Sequence, residues 1–380
     1  MQTYDVLVVG AGPAGVSAAR SAAKSGAQTI LLEKNPKIMA VKPCGEATGR
    51  QTFETAGISP KSSIILHKAN AMVYAPDMSY VLIDQSGYSI NKSMFLLEVA
   101  AKAAEEGAQI RVRETVTSLE RTDGFMRVKG LHDVYQAKVV IGADGYNSTV
   151  AKSLGIREKS EPISTVQYVM ANCRLEYPDS ARFFLGHEIA PKGYAWIFPR
   201  GENLAEVGIG VRGASAKLYL DKFIKRFSNE LGDAQIMDYR GAPVPIGGLI
   251  SENVVDGAIL VGDAAGTVVP LTGAGIHAST AAGVIAGEVA AEAALDGDTS
   301  SGRLQDFTKR YDAHWGKKIR RSLRVMRAIE GMKDKDLNQL ATLLKGEDIL
   351  DLANGMDVKR VALMLMKHPM LAVKLARHLM

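Results

Sequence analysis

The sequence is short of cysteine, aromatic residues and uninterrupted apolar stretches. Its 380 residues include two cysteines, Cys44 and Cys173, and only 6% aromatic residues. Two cysteines outside any Cys-x-x-Cys or metal-ligand spacing exclude a disulfide framework, so we expect free thiols and no metal site. No segment offers the roughly 20 consecutive apolar residues of a membrane span, because the most apolar stretch, residues 278–295, contains Glu288 and Glu292.

The first residues enter a β-branched segment at once, from Tyr4 to Val9, which leaves no room for a signal peptide. We therefore expect a cytoplasmic protein. A content of 47% hydrophobic residues is enough for sizeable cores, and the length predicts two or three domains.

This first strand is followed directly by a glycine-rich turn and a helix. Gly10, Gly12 and Gly15 form Gly-x-Gly-x-x-Gly, which allows a tight turn, a close approach of pyrophosphate to the backbone, and close packing of helix on strand. The helix N-terminus adds free N–H groups and the positive end of its dipole. A second apolar strand ends in Glu33, whose carboxylate can accept from both ribose hydroxyls and would repel a 2′-phosphate. The segment therefore predicts a site for FAD or NAD rather than NADP.

Two later segments favour FAD over NAD. Residues 138–145 form an apolar strand that ends in Gly-Ala-Asp-Gly, and residues 257–266 form another that contains Gly-Asp at Asp263. Asp263 can accept hydrogen bonds from a ribityl chain, and a helix that starts near Gly275 and Ile276 directs N–H groups at a flavin carbonyl. An NAD enzyme does not need this late site.

Together these motifs resemble the archaeal FAD-dependent geranylgeranyl reductase family, within the para-hydroxybenzoate hydroxylase-like flavoproteins, over nearly the whole chain. More specific to the reductases are Pro-Cys-Gly-Glu at 43–46 and Tyr-Ala-Trp-Ile-Phe-Pro at 194–199, with Gly-Ile-Gly at 208–210. The resemblance implies an α/β fold in three parts. These are a Rossmann-like FAD-binding domain assembled from residues 1–70, 90–160 and 250–300, an antiparallel-sheet substrate domain from residues 70–90 and 160–250, and a C-terminal helical region from residues 301–380.

The resemblance also implies which residues line each part of the site. The family places a cysteine near the flavin, which assigns Cys44 to flavin contact and to catalysis. The expected cofactor-binding residues are Gly10, Gly12, Ala14, Gly15, Glu33, Cys44, Gly45, Ala47, Lys92, Val116, Asp144, Asp263, Gly275 and Ile276. The expected substrate-binding residues are Tyr194, Trp196, Phe198, Pro199, Gly208 and Gly210.

The sequence departs from the wider flavoprotein class at several positions. Ala151 stands where the class usually has Arg, and Gly266 stands where hydroxylases often have His. Asn91 and Lys92 occupy the place of an Arg that reaches the cofactor phosphates, and lysine lacks the bidentate fork of arginine. Two alternatives stay open: an aromatic hydroxylase of the same class, which uses NAD(P)H and oxygen, and a flavin-bound lipid-binding or electron-transfer protein without alkene chemistry.

The implied reaction saturates the isoprenoid double bonds of geranylgeranyl chains, above all those of digeranylgeranylglycerophospholipids in archaeal membrane lipid biosynthesis. An isolated alkene has no carbonyl to withdraw electrons, so its reduction needs a proton as well as the hydride of reduced FAD. Tyr194, Trp196 and Phe198 alternate along a predicted strand and share one face, where aromatic rings tolerate a developing cation. No second Gly-x-Gly-x-x-Gly strand–turn–helix unit for a nicotinamide is evident, although this flavoprotein class can use NAD(P)H without one. Ferredoxin, a reduced deazaflavin and NAD(P)H therefore all stay open as the electron donor.

The net charge of +5 is concentrated towards the C-terminal end. Residues 301–380 contain 17 Lys and Arg against 9 Asp and Glu, a net +8, which leaves −3 for the rest. Apolar residues from Leu304 to Met326 recur at helical spacing, with basic residues mostly on other faces. Residues 361–380 suit an interfacial helix pair better than a span. We expect either a packed helix with a solvated basic face or peripheral attachment to an anionic membrane, and no nucleic-acid partner.

Overall fold

The computed structural model describes residues 2–354, except for the side chains of Gln85, Ser86 and Asn354, and it contains two eight-stranded sheets. The strands are β1 (Thr3–Val9), β2 (Thr29–Leu32), β3 (Ala47–Thr48), β4 (Ile65–Tyr74), β5 (Tyr80–Ile90), β6 (Gln109–Arg111), β7 (Ser118–Thr122), β8 (Phe125–Lys129), β9 (Val134–Gly142), β10 (Pro162–Ala171), β11 (Ser180–Phe184), β12 (Tyr194–Pro199), β13 (Leu204–Val211), β14 (Gln235–Pro245), β15 (Val254–Val255) and β16 (Ala258–Leu260). The helices are α1 (Pro13–Lys24), α2 (Arg50–Ala56), α3 (Lys92–Glu105), α4 (Thr149–Ser153), α5 (Ala216–Arg226), α6 (Ser228–Leu231), α7 (Ile276–Asp296), α8 (Ser301–Leu304), α9 (Asp306–Tyr311), α10 (Lys317–Glu330), α11 (Asp334–Leu343) and α12 (Gly346–Asn354). The segment 361–380, for which an interfacial helix pair is predicted, lies outside the described residues.

The first sheet has the order β15-β16-β9-β1-β2-β6, and the β7–β8 hairpin extends it from β9. Strands β1, β2, β6, β9 and β16 are parallel to their neighbours in this core. The apolar runs of β1, β2, β9 and β16 are buried on both faces, as is typical of a parallel sheet covered by helices, whereas β6 at the edge is largely exposed. The carboxyl ends of β1, β2, β9 and β16 therefore meet at one edge.

Helix α7 packs against α1 on this sheet. A Cβ atom on Gly283 would lie 2.0 Å from the Ala14 carbonyl oxygen, and one on Gly287 would lie 2.4 Å from that of Ala18. Among the described helices, α7 has the length and apolar composition of a membrane span, but 72% of that window is buried inside the molecule. It is therefore a core helix, in agreement with the close helix packing that its small residues predict.

The second sheet has the order β14-β10-β13-β12-β11-β4-β5-β3. Its neighbouring strands are antiparallel except β4 and β11, which pair in parallel from Asn70–Ser180 to Tyr74–Phe184. The predicted antiparallel sheet therefore contains one parallel pair, because β4 arrives from an earlier part of the chain rather than through a hairpin. Strand β3 and the start of β4 at Ile65 bring residues before position 70 into this sheet.

The C-terminal helices α8 to α12 follow α7. The structure interrupts the helix expected between Leu304 and Met326 with a π-helical turn, Asp312–Gly316, in which Trp315 is buried. Arg320 spans this turn and donates to both carboxylate oxygens of Asp312, at 2.5 and 2.7 Å. The basic face of this region is partly neutralised by such pairs, since Arg310 also bonds the Glu292 carboxylate.

Candidate active site

A cavity of about 490 Å³ lies between the carboxyl edge of the first sheet and one face of the second sheet. The glycine turn after β1 and the start of α7 line it from the first sheet, and β12 lines it from the second. Ligands bind outside the carboxyl ends of strands in open α/β sheets, and the cavity occupies this position.

The glycine turn has the geometry that a phosphate cradle requires. Gly10 has a φ of +97°, a conformation that L side chains rarely adopt. A Cβ atom on Gly15 would lie 1.8 Å from the Gly10 carbonyl oxygen, whereas one on Gly12 would meet nothing within 4 Å. Helix α1 begins at Pro13 without a side-chain cap, so its first N–H groups are left for a ligand.

Glu33 is held against this turn by hydrogen bonds. Its Oε2 accepts from the Ala11 amide at 2.8 Å, and its Oε1 accepts from the Asn35 amide at 2.8 Å. The residue is buried yet lines the cavity. A carboxylate fixed in this way at the end of β2 suits the recognition of ribose hydroxyls.

Asp144 and Asp263 follow β9 and β16 and reach the cavity from neighbouring strands. The Asp144 carboxylate accepts from the Ser148 hydroxyl and the Thr149 amide, both at 2.6 Å, and so supports the start of α4. The Asp263 carboxylate pairs with the Lys42 ammonium at 3.0 Å. Asp144 is therefore engaged by its own loop, whereas Asp263 is paired with a lysine side chain from a distant part of the chain.

The aromatic residues of β12 form the wall that faces the cradle. Tyr194, Trp196 and Phe198 share one face of the strand, with ring centroids 5.8 Å and 6.2 Å apart along it. A Cβ atom on Gly208 would lie 2.2 Å from Cζ2 of Trp196, so the Gly-Ile-Gly of β13 leaves the room that this ring occupies. Likewise, a Cβ atom on Gly45 would lie 2.2 Å from Cε2 of Phe198.

Cys44 lies in the loop that connects β2 of the first sheet with β3 of the second sheet. Its amide donates to the side-chain oxygen of Gln167 on β10 at 2.9 Å, which fixes the loop to the second sheet. Burial raises the pKa of Cys44, the Lys92 charge opposes this rise, and the Glu46 carboxylate adds to it. At neutral pH the cavity therefore presents a thiol rather than a thiolate.

A buried polar cluster behind Cys44 was missed by sequence reasoning. Glu206 on β13 accepts from the Arg200 guanidinium at 2.5 Å, and the same guanidinium lies 3.4 Å from Glu46. The sequence contained a sign of this cluster. In β13, Glu206 alternates with buried apolar residues and shares a face with Gly208 and Gly210. Glu206 is fully buried and lies behind the residues that line the cavity.

An apolar part of the cavity wall comes from both the second sheet and the C-terminal helices. It includes Leu185, Val244, Ile246, Met326, Ile329 and Leu337. Met326 and Ile329 belong to α10, and Leu337 belongs to α11. A long hydrocarbon chain is the ligand type that such a wall accommodates.

Most of the predicted site residues meet in this one cavity, and four do not line it. The lining residues among them are Gly10, Gly12, Ala14, Glu33, Cys44, Gly45, Lys92, Val116, Asp144, Asp263, Gly275, Ile276, Tyr194, Trp196, Phe198 and Gly210. Gly15 and Gly208 stand behind it, where their lack of a side chain allows close packing. Ala47 is exposed at the start of β3, and Pro199 is buried at the end of β12.

These features fit an FAD molecule. The cradle is open at Gly12, and the Trp196 indole N–H is buried without a hydrogen-bond partner among the described residues. Gly275 and Ile276 begin α7 at the cavity without a side-chain cap, so this helix also offers N–H groups. In the described part of the chain, no group of three or more His, Cys, Asp or Glu side chains has the arrangement of a metal site.

Comparison with known proteins agrees with this geometry. A family model described as FAD dependent oxidoreductase matches residues 5–38, and one described as geranylgeranyl reductase catalytic domain matches residues 162–244. The fold and site therefore define an FAD-dependent oxidoreductase. Digeranylgeranylglycerophospholipid reductase 2 of Methanopyrus kandleri is 35% identical over 99% of both chains, and the digeranylgeranylglycerophospholipid reductase of Methanosarcina acetivorans is 37% identical over 90% of this chain and 88% of its own. The chain belongs to the digeranylgeranylglycerophospholipid reductase family.

Solved structures give the same result. A geranylgeranyl bacteriochlorophyll reductase-like protein from Thermoplasma acidophilum matches with a TM-score of 0.88 and 29% identity over 100% of both chains. A flavin-dependent brominase matches with a TM-score of 0.75 at 16% identity, over 96% of this chain and 98% of its own, and shares the fold alone. The α/β fold, the reductase family and the FAD cofactor predicted from the sequence are confirmed.

Proposed function

We propose that this chain reduces the isolated double bonds of geranylgeranyl chains in digeranylgeranylglycerophospholipids. The observation that carries the proposal is the meeting of a dinucleotide cradle, an aromatic strand and an apolar wall in one cavity. The names of its relatives supply the substrate class. No feature of the described site favours the aromatic hydroxylase or the lipid carrier over this reading.

The chain's residues have distinct tasks in this reaction. The glycine turn and Glu33 hold the dinucleotide, and FAD, once bound and reduced, supplies a hydride. Tyr194, Trp196 and Phe198 exclude water and present ring faces to the carbon on which positive charge develops. The Cys44 thiol stands at the cavity surface as a source of the proton that the second alkene carbon needs.

The test is anaerobic reduction of the FAD-loaded enzyme with dithionite, followed by incubation with digeranylgeranylglycerophospholipid and mass spectrometry of the lipid. We expect a gain of two hydrogen atoms for each double bond reduced. Oxygen consumption with NADPH that a phenol stimulates, without saturated lipid, would instead identify a hydroxylase. Tight lipid binding with no saturated product would identify a carrier. Replacing dithionite in turn by reduced ferredoxin, reduced deazaflavin and NAD(P)H identifies the electron donor.

We further propose that the enzyme attaches peripherally to an anionic membrane through its basic C-terminal region. The net +8 of residues 301–380 supports this, since each Lys or Arg near an anionic surface contributes about 1 kcal/mol. Internal pairing reduces the charge available, because Arg310 and Arg320 bond to acids. Flotation with anionic liposomes tests the proposal: the protein should float at low salt and be released at high salt, and its absence from the liposomes at both would refute attachment.

A further inference from the structure

The wall of the main cavity changes from apolar to polar along two elements. On α10, Met326 and Ile329 line the cavity, and Glu330 lines it one residue further on. Residues three and four apart share a helix face, so these three side chains belong to one surface. After β11, Leu185 lines the cavity and is followed by His187. An apolar surface that ends in charged groups suits a ligand with a hydrocarbon chain and a polar end.

A second cavity, of about 370 Å³, adjoins the main cavity at this polar end. The two cavities share Lys192 and Glu330 among the residues that line them. The charged residues that line the second cavity are Glu161, Lys192, Arg212, Arg327 and Glu330. Three cations against two acids give this lining one net positive charge.

Both acids of the second cavity are paired with its two arginines. Glu161 accepts hydrogen bonds from Arg212 and Arg327. Glu330 accepts from Arg327 at 3.1 Å and forms an ion pair with Arg212. The four side chains therefore form a closed ring in which the charges cancel. This ring leaves neither carboxylate to neutralise the remaining cation, Lys192.

Lys192 carries the charge that is not compensated. Its side chain is exposed and, among the described residues, has no hydrogen bond or ion pair. His187, the other basic side chain at this end of the main cavity, is bonded to Asp334 at 2.7 Å. An ammonium at the junction of two cavities is thus left for a ligand.

The backbone of Lys192 is held in an unusual conformation. Its φ is +54°, in the left-handed region that residues other than glycine rarely adopt. The Arg212 amide donates to the Pro191 carbonyl at 3.1 Å, and a Cβ atom on Gly193 would lie 2.0 Å from the Gly210 carbonyl oxygen. The turn is therefore packed closely on β13. Strained backbone that is kept in place by its surroundings is common at ligand sites.

We propose that Lys192 binds the phosphate group of the lipid substrate at the junction of the two cavities, while the main cavity holds the hydrocarbon chains. The proposal rests on the proposed function for the nature of those chains. An ammonium donates strong, charge-assisted hydrogen bonds to phosphate oxygens. A glycerophospholipid and a prenyl diphosphate both present such a group at one end of an isoprenoid chain.

Lys192 should therefore determine which prenyl compounds bind rather than how fast they react. The phosphate group keeps its charge throughout the reaction, because only the double bonds change. Its contact with Lys192 is the same in the ground state and in the transition state. Loss of such a contact raises KM and leaves kcat unchanged.

Lys192→Met tests the proposal, because methionine keeps an unbranched side chain and the same backbone requirement but has no charge. The first readout is binding to the oxidised, FAD-loaded protein, measured by tryptophan fluorescence in neutral detergent. The probes are saturated lipids that cannot be reduced: diphytanylglycerol phosphate, phytanyl diphosphate and uncharged diphytanylglycerol. The wild type should bind a phosphate-bearing probe about tenfold more tightly than the uncharged one. The variant should bind charged and uncharged probes alike.

Two matched variants separate this contact from a general effect of charge. Lys192→Arg keeps the positive charge and should keep the preference for phosphate. Lys222→Met removes the same charge from an exposed lysine on α5, which lies over the Tyr219 ring and lines neither cavity, and should also keep it. Equal affinities of the wild type for charged and uncharged probes would overturn the proposal, as would an unchanged preference in Lys192→Met.

The comparison of the two charged probes identifies the source of the phosphate. Tighter binding of diphytanylglycerol phosphate would support a glycerophospholipid substrate. Tighter binding of phytanyl diphosphate would keep the phosphate site and correct the substrate class of the proposed function.

The second readout is alkene reduction. With digeranylgeranylglycerophospholipid, Lys192→Met should raise KM about tenfold at unchanged kcat, whereas reduction of uncharged digeranylgeranylglycerol should be unaffected. A lower kcat at unchanged KM would overturn the proposal. A preference for phosphate that Lys192→Met abolishes, with no lipid reduction by the wild type, would instead refute the proposed function and leave the phosphate site established.

Discussion

At the scale of single residues, Gly208 shapes the substrate wall by what it lacks. A Cβ atom there would lie 2.2 Å from the Trp196 ring, so Gly208→Ala must displace that ring. We expect a loss of about 1–3 kcal/mol in the free energy of unfolding and impaired prenyl reduction, with FAD retained, since overpacking forces neighbours out of place. Urea unfolding, activity and flavin content measure the three effects.

Gly210→Ala is the matched control for stability. The nearest atom to its added Cβ would be Cδ1 of Ile163, at 3.2 Å, the end of a side chain that can shift. Its loss of stability should therefore be smaller than that of Gly208→Ala. Equal losses in the two variants would show that the Trp196 ring does not depend on Gly208.

The pKa of Glu206 also makes a prediction about stability. Burial and Glu46 raise it to about 8, from an ordinary value of 4.5. Between these values the folded protein holds a proton that the unfolded chain has lost, so this residue lowers the free energy of unfolding as pH rises from about 4.5 to about 8. Glu206→Gln should therefore gain stability relative to the wild type across that window and remain level above it. Urea unfolding at pH 5, 7 and 9 checks this, and a constant difference would contradict it.

Residues were predictable from the sequence where backbone geometry demands them. Gly10 and Glu33 belong to a strand–turn–helix–strand unit whose order in the chain is also its order in space, and both line the cavity. The role of Glu206 was not predictable from the sequence. Which face of β13 is turned towards the site depends on how this strand pairs with β12 and β10. The place of Glu46 in the buried polar cluster was missed for a related reason: its neighbours there, Lys92 and Arg200, come from distant parts of the chain.

At the scale of elements, the packing of α7 on α1 links the late segment to the cradle. Gly283→Ala would place a Cβ atom 2.0 Å from the Ala14 carbonyl oxygen, inside the first turn of α1. Because neither helix backbone can move freely, we expect a loss of stability of about 1–3 kcal/mol together with weaker FAD retention. Thermal unfolding and the flavin content of the purified variant measure these effects.

Gly302→Ala in α8 is the control for this change. Its Cβ would meet only the Ser300 hydroxyl oxygen, at 3.8 Å, and alanine favours helix over glycine by roughly 0.5–1 kcal/mol. Stability should be equal or higher, with flavin content unchanged. If Gly283→Ala behaved in the same way, the close approach of α7 to α1 would not be needed for FAD binding.

Elements with a strong local signal were predictable, and those set by distant partners were not. The alternation in β12 and the small residues of α7 predict both elements from the chain alone. The parallel pairing of β4 with β11 and the π-helical turn Asp312–Gly316 depend on long-range packing. In the π turn, apolar spacing continues unbroken from Phe307 to Ile319, so the pattern gives no sign of the extra residue that the turn accommodates.

At the scale of the whole molecule, the cofactor should couple the two sheets, because its cavity is lined by both. The fluorescence of the two tryptophans reports on different parts of the molecule. Trp196 lies in the second sheet, and Trp315 lies in the C-terminal helical region, in the same core as α1 and α7 of the first sheet. Trp315→Phe and Trp196→Phe each leave one reporter. FAD at 100 times its dissociation constant should stabilise the folded state by about 2.7 kcal/mol. We expect both tryptophans to show this increase in stability, with coincident unfolding transitions measured by fluorescence. A shift at Trp315 alone would mean that FAD is held by the first sheet and its helices, without bridging to the aromatic strand β12.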